Sequence, residues 1–152
     1  KYRTMLYTKN DLKNLYEIDD HLWLEETIKL LKANRLDELD VENLIEELES
    51  LSKKDRNKAV SLLEQVIRHL LLLQYWSEEY QNNSADWEAE IVSLRTQLIR
   101  HLTTNLRQPL EQELNLIYQD ALRYVIKKTR LNTFPTTCPY TLKQLLNENW
   151  QP

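Results

Sequence analysis

The sequence predicts an all-α fold: a single-domain bundle of about five helices, finished by a short C-terminal helical turn. Three observations carry this prediction. The 152 residues contain no glycine. Average usage of about 7% would give roughly ten, and the tight turns of β-hairpins favour glycine. Apolar residues recur at helical rather than alternating spacing along most of the chain. Finally, the run AVSLLEQVIRHLLLLQYW spreads its apolar side chains over about half a helix circumference, a wider arc than a surface helix buries.

That run forms most of the expected central helix, about Lys53–Trp76, which should be enclosed by neighbours on two or three sides. Ser52, followed three residues later by Asp55, reads as its cap. The run is too short and too often interrupted by polar groups to span a bilayer, so no membrane contact is expected.

The other elements follow in chain order. Residues 1–9 read as an N-terminal arm. Asn10 is placed to cap a first helix running to about Ala33. Its two apolar stripes, Leu12/Leu15/Ile18/Leu22 and Tyr16/Trp23/Leu24/Ile28/Leu31, imply a bend or contacts on two faces. Asp40 caps a short helix, Val41–Leu51, with Leu44, Ile45 and Leu48 inward. After the central helix, SEEYQNN reads as a turn, and Ser84 caps a fourth helix to about Thr104 with the stripe Trp87, Ile91, Leu94, Leu98, Leu102. Pro109 suits the first turn of a fifth helix, where its missing N–H costs nothing. That helix turns Leu110, Leu114, Ile117, Ala121 and Val125 inward and closes on Lys127, Lys128 and Arg130. Residues 132–152 form a tail docked on the bundle, with Thr141 capping a last turn or two. Without glycine, asparagine is the usual left-handed helix terminator, and Asn34, Asn82, Asn83, Asn105 and Asn132 stand where the helical patterns stop.

Composition narrows the function classes. Hydrophobic content of 41% with 29% charge describes a globular chain, and residues 1–152 read as one helical domain. The lack of glycine excludes phosphate-cradling loops of the P-loop and Rossmann types. A single cysteine, Cys138, rules out an internal disulfide, no signal-peptide pattern is visible, and the cytoplasm is the expected location. The net charge of −4 is uneven: residues 11–49 hold thirteen acidic and four basic side chains. That acidic third disfavours a broad nucleic-acid footprint.

Four stretches in this order, YEIDDHLWLEETIKLLKANRLDELDVENLIEELESL, RHLLLLQYW, SADWEAEIVSLRTQL and FPTTCPYTLKQLL, resemble the bacterial family known as domain of unknown function twenty-nine. The similarity covers nearly the whole chain, from about Leu6 to Pro152. It implies a single helical domain, and it brings no established activity. The turn after Leu51 lacks the glycine often found there in the family, which leaves Ser52 to cap.

One polar constellation stands out. His69 lies at the edge of the central apolar arc, beside Leu62 and Trp76. It is seven residues before Trp76, and Trp87 to Ile91 lie a similar distance after Ser84. At ~1.5 Å per residue, His69, Trp87, Glu88 and Glu90 are expected level with one another across the hairpin. Glu90 is the expected partner of the imidazole. The simplest role is structural: a carboxylate orienting a half-buried ring. The other is a metal or acid–base site. His101 shares a flank with Glu90 but lies ~16 Å further along, beyond the same shell. No Glu-x-x-His and no His-Glu-x-x-His occurs, so no metal, cofactor or catalytic residue is assigned. The Asp19/Asp20/His21/Glu25 group reads as exposed polar surface, Cys138 as a packed thiol, and Lys53, Lys54, Arg56 and Lys58 as a solvated basic helix start.

The expected function is therefore a non-enzymatic protein-interaction or accessory module, with a protein partner and an oligomeric state the sequence leaves open. One alternative is a metal-dependent hydrolase or nuclease using His69 and nearby carboxylates. The other, less favoured, is a nucleic-acid-binding module using the basic start of the central helix.

Overall fold

The computed structural model describes residues 7–152; Lys1–Leu6, most of the expected arm, lie outside the described residues. The described residues form six α-helices and two 3₁₀ turns, with no strand. By internal packing the chain divides into two compact units, Lys1–Lys53 and Lys54–Pro152.

The first unit holds α1 (Lys9–Ile18), α2 (Asp20–Lys32), a 3₁₀ turn (Leu36–Glu38) and the start of α3 (Val41–Tyr75). Thr8, not Asn10, caps α1: its hydroxyl accepts from the Asp11 N–H at 3.1 Å while Asp11 Oδ2 accepts from the Thr8 N–H at 3.0 Å. This reciprocal box satisfies two orphan groups at once, which a lone asparagine does not. The expected helix to Ala33 is broken at Asp19, whose backbone turns extended (φ −149°, ψ 85°) and whose carboxylate caps α2 by accepting from the Leu22 N–H at 3.1 Å. The two stripes thus belong to two helices. Asn34 takes the left-handed conformation (φ 57°) and ends α2. Arg35 N–H donates to Leu30 O and Asn34 N–H to Leu31 O, the paired bonds of a Schellman stop.

Helix α3 corrects two expectations. It runs from Val41 to Tyr75 with no break at Ser52. A growing helix adds each residue cheaply once nucleated, and neither glycine nor proline interrupts it, so an internal serine costs too little to stop it. The second correction concerns burial. Leu44 is half-buried, but Ile45 and Leu48 face solvent, and every residue from Leu48 to Lys58 is exposed.

The second unit contains the rest of α3, a 3₁₀ turn (Ser77–Glu79), α4 (Tyr80–His101), α5 (Thr104–Thr129) and α6 (Leu142–Leu146). Residues 59–73 of α3 form the enclosed rod that the sequence predicts: Ala59, Leu62, Leu63, Val66, Ile67 and Leu70–Leu73 are 0–8% exposed. Around them pack Trp87, Ile91, Leu94 and Leu98 of α4, Leu110, Ile117, Tyr118, Ala121 and Val125 of α5, and Leu142 and Leu145 of α6. Arg56 pairs with Glu113, and the Arg68 guanidinium lies 3.8 Å from the centre of the Tyr124 ring. These contacts advance together along α3 and α5, so the two helices run parallel, and α4 returns between their ends.

Boundaries in this unit also shift. Helix α4 starts at Tyr80, so Asn82, Asn83 and Ser84 lie inside it rather than in a turn. Helix α5 starts at Thr104, which puts Asn105 and Pro109 inside it and leaves Pro109 beyond the first turn. The left-handed stop of α5 is Arg130 (φ 61°), not Asn132. Thr141 and Gln144 form the capping box of α6, as the sequence predicts for Thr141.

Candidate functional site

The constellation singled out by sequence, His69, Trp87, Glu88 and Glu90, lies in the second unit, while the Asp19/Asp20/His21/Glu25 group lies in the first, with His21 and Glu25 both exposed and 3.6 Å apart. His69 is half-buried, and its Nδ1 is 2.7 Å from the carbonyl oxygen of Gln65, one turn back on α3. A carbonyl can only accept, so Nδ1 is the donor in this bond. Trp87 is buried and stacks on Trp76, with ring centres 5.8 Å apart and planes 17° from parallel. Glu88 is half-buried and accepts from Gln151 Nε2 at 3.1 Å, while Glu90 is exposed. No hydrogen bond or ion pair among the described residues joins His69 to Glu88 or Glu90; the ring is oriented by its own helix. Counted from the tryptophan stack, His69 is seven residues back along α3 and Glu90 three residues on along α4, about 10 Å and about 5 Å of helix rise.

Sequence reasoning missed a second cluster, in which QYW at the end of α3 meets FPTTCPY of the tail. Tyr140 donates its hydroxyl to Gln74 Oε1 at 2.9 Å, and the Tyr75 and Phe134 rings meet edge to face at 5.7 Å. Tyr118 donates to the Pro135 carbonyl, and the Cys138 thiol to the Tyr140 carbonyl at 3.3 Å. Burial pushes the Tyr118 phenol up to about 12 and also raises the Cys138 thiol. Cys138 is therefore held as a packed thiol, without the electropositive surroundings that make a thiolate nucleophile.

Arg95 is the least expected group. Only 2% of it is exposed, yet its guanidinium has no carboxylate partner among the described residues. It donates to three carbonyls of the tail: Leu145 at 2.9 Å, Trp150 at 2.7 Å and Gln144 at 3.2 Å. Burial lowers its pKa. The carbonyls at the C-terminal end of α6 carry partial negative charge, so a cation there both satisfies orphan acceptors and complements the helix dipole. A cavity of about 110 Å³ beside it is lined by Val92, Arg95, Thr96 and Glu148. The signal was available: Arg95 falls between Ile91 and Leu98 on the apolar stripe of α4, where a charge needs a buried partner.

The first unit has its own buried acidic side chain. Asp40, 1% exposed, accepts from Trp23 Nε1 at 3.1 Å and from Asn43 Nδ2 at 2.7 Å, both on Oδ2; Oδ1 has no hydrogen-bond partner among the described residues. Tyr16 packs edge-on to Trp23 at 4.8 Å and donates to Glu47 Oε2 at 2.9 Å. That hydrogen bond, with burial and the neighbouring charge adding to it, pushes the phenol up to about 12. Outward from this small core, the first three turns of α3 present Val41, Ile45, Leu48 and Leu51, each 50–57% exposed. At ~100° per residue, Val41, Ile45 and Leu48 share an arc of about 60°, with Glu42, Glu46 and Glu49 along its outer edge and Leu51 continuing it on the other side.

No group of three or more His, Cys, Asp or Glu side chains placed to hold a metal ion occurs among the described residues. No helix among them is long and apolar enough to cross a membrane. Residues 15–151 match the family model described as domain of unknown function DUF29. No curated protein and no solved structure matches the chain. The chain belongs to the DUF29 family.

Proposed function

We propose that this DUF29 chain is a protein-interaction or accessory module, and that the first three turns of α3 are its docking face. One observation carries the reading: Val41, Ile45, Leu48 and Leu51 are half-exposed together on one helix. Full burial of such a side chain is worth about 1.5–3 kcal/mol, and a contiguous apolar patch of this kind marks an interaction surface more often than a scattered single residue does. Leucines of the same helix in the second unit show that α3 covers its apolar residues where neighbours exist.

The test is a tagged chain carrying Leu48→Glu and Leu51→Glu, compared with the unaltered chain for recovery of partners from the native host. Both substitutions are at exposed sites, so helix content and thermal midpoint should stay the same. The bound partner should be lost. Unchanged recovery by the double variant removes the docking face from consideration.

A further inference from the structure

We infer that the occupant of the α3 face is a basic amphipathic helix of another protein. This deepens the docking reading and rests on it. The apolar stripe Val41/Ile45/Leu48 is spaced i, i+4, i+7, the spacing that receives a helix lying along it through anchors of its own at similar intervals. Its outer edge is Glu42, Glu46 and Glu49. Glu42 is exposed and held only by a loose 3.5 Å pair with Lys13, and no ion pair engages Glu46 or Glu49 among the described residues. Across residues 1–53 the sequence has thirteen acidic and eight basic side chains, so the long-range field has the same sign as the edge. Lysine or arginine flanking the partner's apolar stripe meets these carboxylates as the leucines meet. Acidic flanks are repelled, which gives selectivity as well as attraction. A second copy offering this same face sets Glu46 and Glu49 against like charges.

The experiment uses the full chain and two labelled synthetic amphipathic helices with identical leucine stripes, one flanked by lysine and one by glutamate. Fluorescence anisotropy is expected to show saturable binding of the lysine peptide, at least about tenfold tighter than the glutamate peptide, an energy of ~1.4 kcal/mol. Binding should weaken severalfold in a Glu46→Gln/Glu49→Gln chain and on raising salt. It should be lost in the Leu48→Glu/Leu51→Glu chain, whose circular dichroism reports that it remains folded. Equal binding of the two peptides overturns the inference. So does indifference to the glutamine substitutions, or a dimer in sedimentation velocity that Leu48→Glu abolishes. The two readings fail separately. If a native partner is released by the leucine variant but not by the glutamine variant, the basic-helix inference is wrong and the docking face stands. If neither variant releases it, both are wrong.

Discussion

Helix α3 passes through two environments, and the contrast between its halves is instructive. In the second unit, Leu62, Leu63, Val66, Ile67 and Leu70–Leu73 sit in a core supplied by α4, α5 and the tail, and almost none of their surface meets water. In the first unit the buried apolar set among the described residues is small, Leu12, Trp23 and Leu39, and Trp23 donates its indole N–H to the buried Asp40. Small assemblies bury a low fraction of their surface. Here the shortfall is visible as leucine and isoleucine left outside: Leu24, Ile28, Leu31, Ile45 and Leu48. Charge divides the same way. Residues 1–53 carry thirteen acidic and eight basic side chains, and residues 54–152 carry eleven and twelve. The second unit gathers its apolar residues into a large core, and the first leaves a row of them on its surface.

The sharpest contrast is between two leucines on the one helix. Leu71→Ala should cost about 2–5 kcal/mol, because it removes buried methyl groups and leaves a cavity. Leu48→Ala should stay within about 0.5 kcal/mol in the isolated chain. Denaturant melts of the two variants check this; a comparable cost for both would mean that Leu48 is covered after all. Next in size is Arg95→Leu, which leaves three tail carbonyls without their donor. A loss of about 3 kcal/mol is expected, accompanied by a change in tryptophan fluorescence as Trp150 is released. Full stability with an undisturbed tail would show that the guanidinium does not hold it.

Alkaline pH should separate the regions less. The Tyr118 phenol is raised by burial to about 12, above its ordinary ~10. A raised phenol contributes stability that is complete below pH ~10 and is lost as pH climbs through 12. Tyr16 acts in the same direction through Glu47. The guanidinium midpoint should therefore fall across that window, and Tyr118→Phe should flatten the fall. The smallest effect concerns His69 and Glu90. Because no hydrogen bond or ion pair joins them, a double-mutant cycle should be additive within about 0.5 kcal/mol. A clear coupling energy would place them in contact.

Much of the fold was legible. Periodicity found the enclosed rod of α3 and the inward faces of α4 and α5, and Thr141 announced α6, because burial of an apolar stripe and a capping hydroxyl act locally. What was not legible has a physical pattern. Ser52 and Ser84 carry cap chemistry, yet a cap is only an offer that a propagating helix can decline. Thr8 and Asp19 show the opposite case, where a side-chain oxygen close to the backbone, a hydroxyl in one and a carboxylate in the other, did win. The spacing of Ile45 and Leu48 shows which face is apolar; it carries no information on what covers that face. The hydrogen bond that orients His69 runs to Gln65, one turn back on its own helix, a partner that counting across the hairpin does not consider. Arg95 broke its own stripe and could have been found, but its acceptors lie about fifty residues away in sequence, beyond any local pattern.

The most direct test is amide hydrogen exchange along α3 in the free chain and with the lysine-flanked helix bound. Amides from Val66 to Leu73 should exchange only through the largest openings in both states. Amides from Glu46 to Leu51 should exchange readily through local opening in the free chain and slow markedly on binding. Equal protection of the two stretches in the free chain would contradict this expectation.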